Sequence, residues 1–175
     1  MAAGLKFGLN IAMSLVFVFS ALAAEFERDY EVKAWVETAL DLPAAPRQSD
    51  LVGFYVSSAT EHLFFVDASS LSVGEDGVVR YVLVVQTMGG ARNVSYEGIR
   101  CLTREHRIYA AGRRDGSWSM SRNNEWTKIQ DAVANRYNAA LFLDYFCPSG
   151  GIVKNAEEAR TALRSGGHRE TILVQ

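Results

Sequence analysis

Apolar residues change their period several times along this chain. At the start, residues 7–22 form an apolar run interrupted mainly by Asn10 and two serines, behind one cation, Lys6, and ahead of Ala21-Leu22-Ala23 and the acidic Glu25 and Glu27. A cation, a short apolar stretch and a small-x-small site predict a secretory signal peptide over residues 1–23. A membrane anchor is the competing reading. The run is shorter than the ~20 residues a spanning helix needs, and acidic residues follow it directly. No cysteine follows the cleavage site to accept a lipid, so no stable membrane anchor is expected after cleavage. Residues 24–175 are then expected to form one domain.

Between residues 30 and 40, Val32, Trp35, Val36, Ala39 and Leu40 recur at helical spacing, and Leu42-Pro43-Ala44-Ala45-Pro46 ends the pattern, which predicts a short helix. The pattern then turns to β-rich runs over 51–56, 62–66 and 78–87, with Glu75-Asp76-Gly77 as a turn. Only six residues, 88–93, join the run 78–87 to the next, 94–103. A parallel crossover does not fit in six residues, so the two strands are antiparallel neighbours. Runs 107–112 and 117–121 flank Arg113-Arg114-Asp115-Gly116, whose Asp-Gly predicts a second hairpin.

Helical spacing returns with Trp126, Ile129, Val133, Tyr137, Leu141 and Tyr145, and Thr127-x-x-Gln130 has the form of a capping box. This predicts one long amphipathic helix leading into Cys147. A last helix over 155–165 is bounded by Asn155 and Glu158 at its start and Gly166-Gly167 at its end. Strands followed by helices predict an α+β domain: an antiparallel sheet with helices packed on one face.

Composition adds a few constraints. The 175 residues are 49% hydrophobic and 22% charged, which suits a globular chain rather than a disordered one. Lys+Arg number 18 against 20 Asp+Glu, so no general basic field attracts nucleic acid. Two cysteines, Cys101 and Cys147, in an oxidising compartment are expected to pair and pin the long helix to the sheet.

Asp67-Ala68-Ser69-Ser70-Leu71, Gly74-x-Asp76-Gly77-Val78-Val79-Arg80-Tyr81, the run from Asn93 to Cys101 and Asp144-Tyr145-Phe146-Cys147 together resemble the cryptic neisserial protein (CNP-like) family. The resemblance extends to Leu42-Pro43-x-x-Pro46 and Trp118 and covers nearly all of residues 24–175. It implies an exported bacterial protein of the periplasm with no established biochemical activity. The Asp-x-Ser-Ser stretch and the cysteine placement are also similar in pattern to the surface adhesin E family, which implies binding to a host matrix protein.

Side chains able to carry chemistry are few. His62, His106 and His168 have no metal-ligand spacing, and their expected roles are structural. Neither a serine-nucleophile elbow nor a phosphate loop is present, so no catalytic residue, cofactor or metal is assigned. Strand alternation and register place Arg80, Val82, Val84 and Gln86 with Val94, Tyr96, Gly98 and Arg100 on one face of the central hairpin. Val79, Tyr81, Leu83 and Val85 with Ser95, Glu97, Ile99 and Cys101 occupy the other. Because Cys101 must meet Cys147, this second group is expected in the core.

Arg80, Tyr96 and Arg100 then form a candidate cationic-aromatic patch for an anionic ligand or an envelope partner. Its competing reading is a solvated face with arginines paired to neighbouring carboxylates. Glu97 on the core face predicts either a paired arginine or a shifted register. Three functions follow in order: a non-catalytic periplasmic binding or envelope module; a surface adhesin, which needs an exposed patch; and a small envelope hydrolase, which needs Asp67 and Glu97 to flank one cleft.

Overall fold

The structure, a computed structural model, describes residues 34–130 and 136–168. Two units divide the chain, Met1–Trp35 and Val36–Gln175, and everything below concerns the second. The expected signal peptide lies outside the described residues. No helix among the described residues is long and apolar enough to cross a membrane.

The strands form one antiparallel meander: β1 Leu51–Phe54, β2 Leu63–Val73, β3 Val78–Gln86, β4 Arg92–Arg100, β5 Glu105–Gly112 and β6 Trp118–Met120 lie side by side in chain order. A two-residue β7, Thr127–Lys128, pairs with β5 as well. The central register agrees with the alternation in sequence, with Arg80 opposite Gly98, Tyr81 opposite Glu97 and Val82 opposite Tyr96. Gly77 closes the β2–β3 turn at φ +75°, a conformation that glycine adopts without a Cβ clash.

Two elements depart from the expected pattern. Residues 34–47 contain no helix. An isolated helix of this length is marginal in water, and this segment instead places Glu37 and Leu40 against the sheet. Likewise, residues 126–130 do not begin a helix. Lys128 pairs with Glu105, and Trp126 and Ile129 enter different apolar clusters, so their spacing of three did not mark one helical face. Residues 131–135 of the expected long helix lie outside the described residues. Helix α1 is Arg136–Ala140 and runs into a π-helical stretch, Leu141–Phe146, that ends at Cys147.

The final helix, α2, is Ala156–Ser165. Asn155 caps it, its Oδ1 accepting from the Glu157 and Glu158 N–H groups, and Gly166 ends it at φ +76°. Cys101 and Cys147 are bonded, with Cα atoms 5.6 Å apart.

Strand β2 runs seven residues past its expected end through an irregularity. Its pairing with β3 shifts between Asp67 and Ser72, and side chains there replace ladder bonds. Asp67 Oδ1 accepts from the backbone and hydroxyl of Ser69. Ser70 Oγ donates to the Asp67 carbonyl and accepts from Val82 N–H at 2.8 Å. Asp-x-Ser-Ser is therefore an irregularity built into a long strand.

Each face of the sheet carries an apolar cluster. On the first face, Val79, Tyr81, Leu83 and Ile99 share a core with Leu141, Phe142, Tyr145, Phe146, Ala159 and Leu163 of the helical segments, and the Tyr81 and Phe146 rings lie 5.1 Å apart. On the second, Val82, Val84, Tyr96, Tyr109 and Ala110 cluster with Leu40, Phe65, Trp118 and Trp126.

Candidate functional site

Arg80, Tyr96 and Arg100 do project from the second face, but they form no exposed patch. Arg80 and Tyr96 are buried, with 5% and 4% of their surface exposed. Arg80 donates to both carboxylate oxygens of Asp76, at 2.5 and 3.1 Å. Arg100 lies cross-strand from Glu105, with Nη1 3.8 Å from its Oε2. Cys101 assigns the core to the other face, which points these three residues away from it; what the sequence does not show is that residues 36–47 cover them.

That segment crosses the second face as an extended strap. At its start, the Glu37 carboxylate accepts from Arg107 Nη1 at 2.7 Å, Tyr109 Oη at 2.6 Å, Trp126 Nε1 at 3.4 Å and Arg80 Nη2 at 3.5 Å. Thr38 N–H donates to Asp76, and Trp118 Nε1 donates to the Pro43 carbonyl at 2.7 Å. Burial alone would raise the Asp76 carboxyl, but bonds from Arg80 and from the Thr38 and Val78 N–H groups hold it down at about 2.

Local sequence explains the geometry of this receptor. At β4–β5 the register shifts, so Tyr96 faces Ala110 while Glu97 faces Ile108, and both Tyr109 and Ala110 enter the second cluster. Gly98 makes room for the tyrosine: a Cβ there would lie 2.6 Å from Tyr109 Oη. Arg80 and Arg107 flank the Tyr109 ring at 5.7 and 5.2 Å. Glu37, Arg107 and Tyr109 carry no signal that singles them out in sequence, and Trp126 reads there as a core position of the long helix. A glycine in mid-strand, Gly98, was the available signal that something passes close by.

Glu97 occupies the first face, as its register requires, and is 1% exposed. It has neither an arginine partner nor a shifted central register. Instead Ser95 Oγ and Tyr81 Oη donate to its two oxygens at 2.5 and 3.3 Å. Burial pushes its carboxyl up to about 7, and these two bonds only partly offset the desolvation. Asp67 pairs with Val82 and so projects to the opposite face. The two carboxylates that a hydrolase would need do not flank one cleft.

At the end of the first face where Phe64 pairs with Val85 lies a cavity of about 420 Å³. Phe64, Val85, Val56 and Tyr137 give it apolar walls, and Ser57, Thr60, His62 and Arg136 supply polar groups. The Phe64 and Tyr137 rings stack at 5.9 Å and 23°. Burial raises the Tyr137 hydroxyl, and the nearby Glu97 charge raises it further. Of these residues the sequence weighs only His62 for chemistry; Val85 and Tyr137 read there as core positions.

The other histidines have protein partners. His106 contacts Thr127 Oγ1 and Asn138 Nδ2 through its two ring nitrogens, and His168 Nε2 contacts the Tyr145 carbonyl. No group of three or more metal-ligating side chains exists among the described residues. Around the β5–β6 hairpin, Trp118 holds the strap and Arg113 donates to Ser119.

The described residues define a disulfide-bonded α+β protein built on an antiparallel meander, with a strap bound to one face and a cavity on the other. The chain belongs to the CNP1-like family, whose family model matches residues 30–164. No curated protein and no solved structure matches the chain.

Proposed function

We propose that this protein is exported through its N-terminal signal sequence and serves in the periplasm as a non-catalytic binding module for a small ligand with a planar apolar body and an anionic group. The observation that supports this reading is the cavity beside Tyr137. Its stacked Phe64–Tyr137 wall offers a flat apolar surface, and Arg136, with the hydroxyls of Ser57 and Thr60, offers hydrogen-bond donors to an anion. Apolar walls with a few convergent polar groups are the usual make-up of a small-molecule site.

Carboxylates elsewhere in the fold serve structural contacts. Glu37 and Asp76 hold the strap, Asp67 shapes the β2 irregularity, and Glu97 is bonded inside the core. This distribution favours binding over acid–base chemistry.

The test is calorimetric titration of the protein with benzoate, 4-hydroxyphenylacetate and indole-3-acetate, repeated on Arg136→Gln and Phe64→Ala. Saturable binding that weakens at least tenfold in both variants is expected. Binding by none of the three, or binding indifferent to both substitutions, overturns the cavity as the site. Cell fractionation with an intact mass checks export, with cleavage after Ala23 and recovery in the periplasm as the expected result.

A further inference from the structure

The Glu37 receptor has features of a recognition site that a structural contact does not require. Three of its donors, Arg80, Arg107 and Tyr109, belong to the sheet, and Trp126 immediately precedes β7; Arg80, Tyr109 and Trp126 are also positioned by neighbours other than Glu37. Asp76 holds Arg80 through two bonds, Gly98 admits the Tyr109 ring, and Trp126 meets that ring edge-on at 6.3 Å. Four donors of three chemical kinds converge on one carboxylate, a degree of definition suited to reading a specific group.

The occupant is the opposite in character. Residues 36–47 include no strand, and β1 is paired with β2 rather than with the strap. The strap is held at separated points: the Glu37 carboxylate, the Thr38 N–H, the Leu40 side chain in the second cluster and the Pro43 carbonyl. Pro43 and Pro46 keep its end extended where it leads toward β1. None of these contacts depends on the chain connection between strap and sheet. A strap from another molecule presents the same groups in the same order.

We propose that the second face of the sheet is an exchangeable groove for an extended segment of the pattern Glu-x-x-Leu-x-Leu-Pro, and that it accepts residues 37–43 of a second copy of this chain in place of its own. Reciprocal exchange gives a two-fold symmetric dimer in which each receptor is filled by the Glu37 of the other copy. Within one molecule the tethered strap has the advantage of high effective concentration, so exchange is revealed by disabling it.

Two variants isolate the two halves. Glu37→Arg places a cation against Arg80 and Arg107, which ejects the strap and leaves the receptor whole. Arg107→Glu impairs the receptor and leaves the strap whole. Each variant alone is expected to be a monomer by light scattering, and their equimolar mixture a 1:1 heterodimer. If the mixture stays monomeric while both variants keep native circular dichroism and an oxidised disulfide, the proposal is overturned. Should Glu37→Arg fail to fold, Glu37→Gln is titrated with a synthetic peptide of residues 36–47. Saturable quenching of tryptophan fluorescence, at least tenfold weaker for the peptide carrying Gln at position 37, supports the groove. No saturable change up to millimolar peptide overturns it.

Discussion

The two faces of this sheet are closed by different physical means. On the first, aliphatic and aromatic side chains of β3 and β4 share a core with the helical segments, and a covalent bond between Cys101 and Cys147 closes it. On the second, an extended strap is held by ion pairs and hydrogen bonds over an aromatic cluster. Apolar burial is non-directional and tolerates small displacements. The strap face relies on donors and acceptors aligned within about 3 Å, so its loss costs more per group that moves. The first face thus determines whether the domain folds, and the second determines what it can hold or release.

The largest effect expected on either face comes from the disulfide. Cys101 and Cys147 are separated by 46 residues, and in the chain-entropy model closing such a loop stabilises by about 4 kcal/mol. Replacing both by alanine should lower the unfolding free energy by roughly that amount, read from urea denaturation. Fluorescence of Trp118 and Trp126 in the folded state should stay native. A change there before global unfolding would show that the two faces are not separable.

Arg80→Met tests the second face in the same way. Removing the guanidinium breaks its ion pair with Asp76, whose side chain is 1% exposed, and breaking a buried pair costs on the order of 3 kcal/mol. Because Asp76 also anchors the Thr38 N–H, the strap should exchange its amide hydrogens sooner than the disulfide face does. Equal protection of both faces in this variant would contradict the division drawn here.

The central strands, their register and the role of both cysteines were legible in sequence, because six residues between 78–87 and 94–103 force an antiparallel hairpin and Cys101 picks out its core face. The strap was not. Val32, Trp35, Val36, Ala39 and Leu40 do have helical spacing, and only tertiary contacts of Glu37 and Leu40 override it. Trp126 and Ile129 misled for a related reason: i, i+3 spacing is also compatible with two residues on opposite faces of a strand. Arg80 and Tyr96 were assigned to the right face, but no local signal reports that another segment covers them. Glu97 on the core face implies either an arginine partner or a shifted register, and it is instead a buried acid with hydroxyl partners.

That acid gives the first face a pH dependence near neutrality, whereas Asp76, held at about 2, gives the second face one only in acid. Glu97 has its carboxyl raised from 4.5 to about 7, so the folded state holds a proton that the unfolded state releases. The stabilisation is fully present below pH 4.5 and is lost as pH rises through 7, a change of up to roughly 3 kcal/mol. Glu97→Gln keeps a hydrogen-bonding group and removes the titration. It should be more stable than wild type at pH 8 by about 3 kcal/mol and indistinguishable at pH 4. Thermal unfolding across that range checks the sign; a parallel pH profile in the two proteins would show that Glu97 does not titrate there.

The smallest effect separates the two faces at their periphery. Asn155 caps α2 through its Oδ1, and α2 contributes Ala159, Ala162 and Leu163 to the first core. Arg160 of the same helix donates to the carbonyls of Ala68 and Leu71 inside the β2 irregularity. Asn155→Ala removes one cap and should cost about 1 kcal/mol. The expected consequence is local: amides in the first turn of α2 exchange faster, those of residues 68–71 follow because Arg160 is less firmly placed, and the donors around Glu37 are unchanged. Hydrogen exchange resolved by residue distinguishes this from general loosening. Faster exchange at the Trp118 and Trp126 ring N–H groups would mean that strain at α2 crosses the sheet through the β2 irregularity, and that the strap depends on the same packing as the helices.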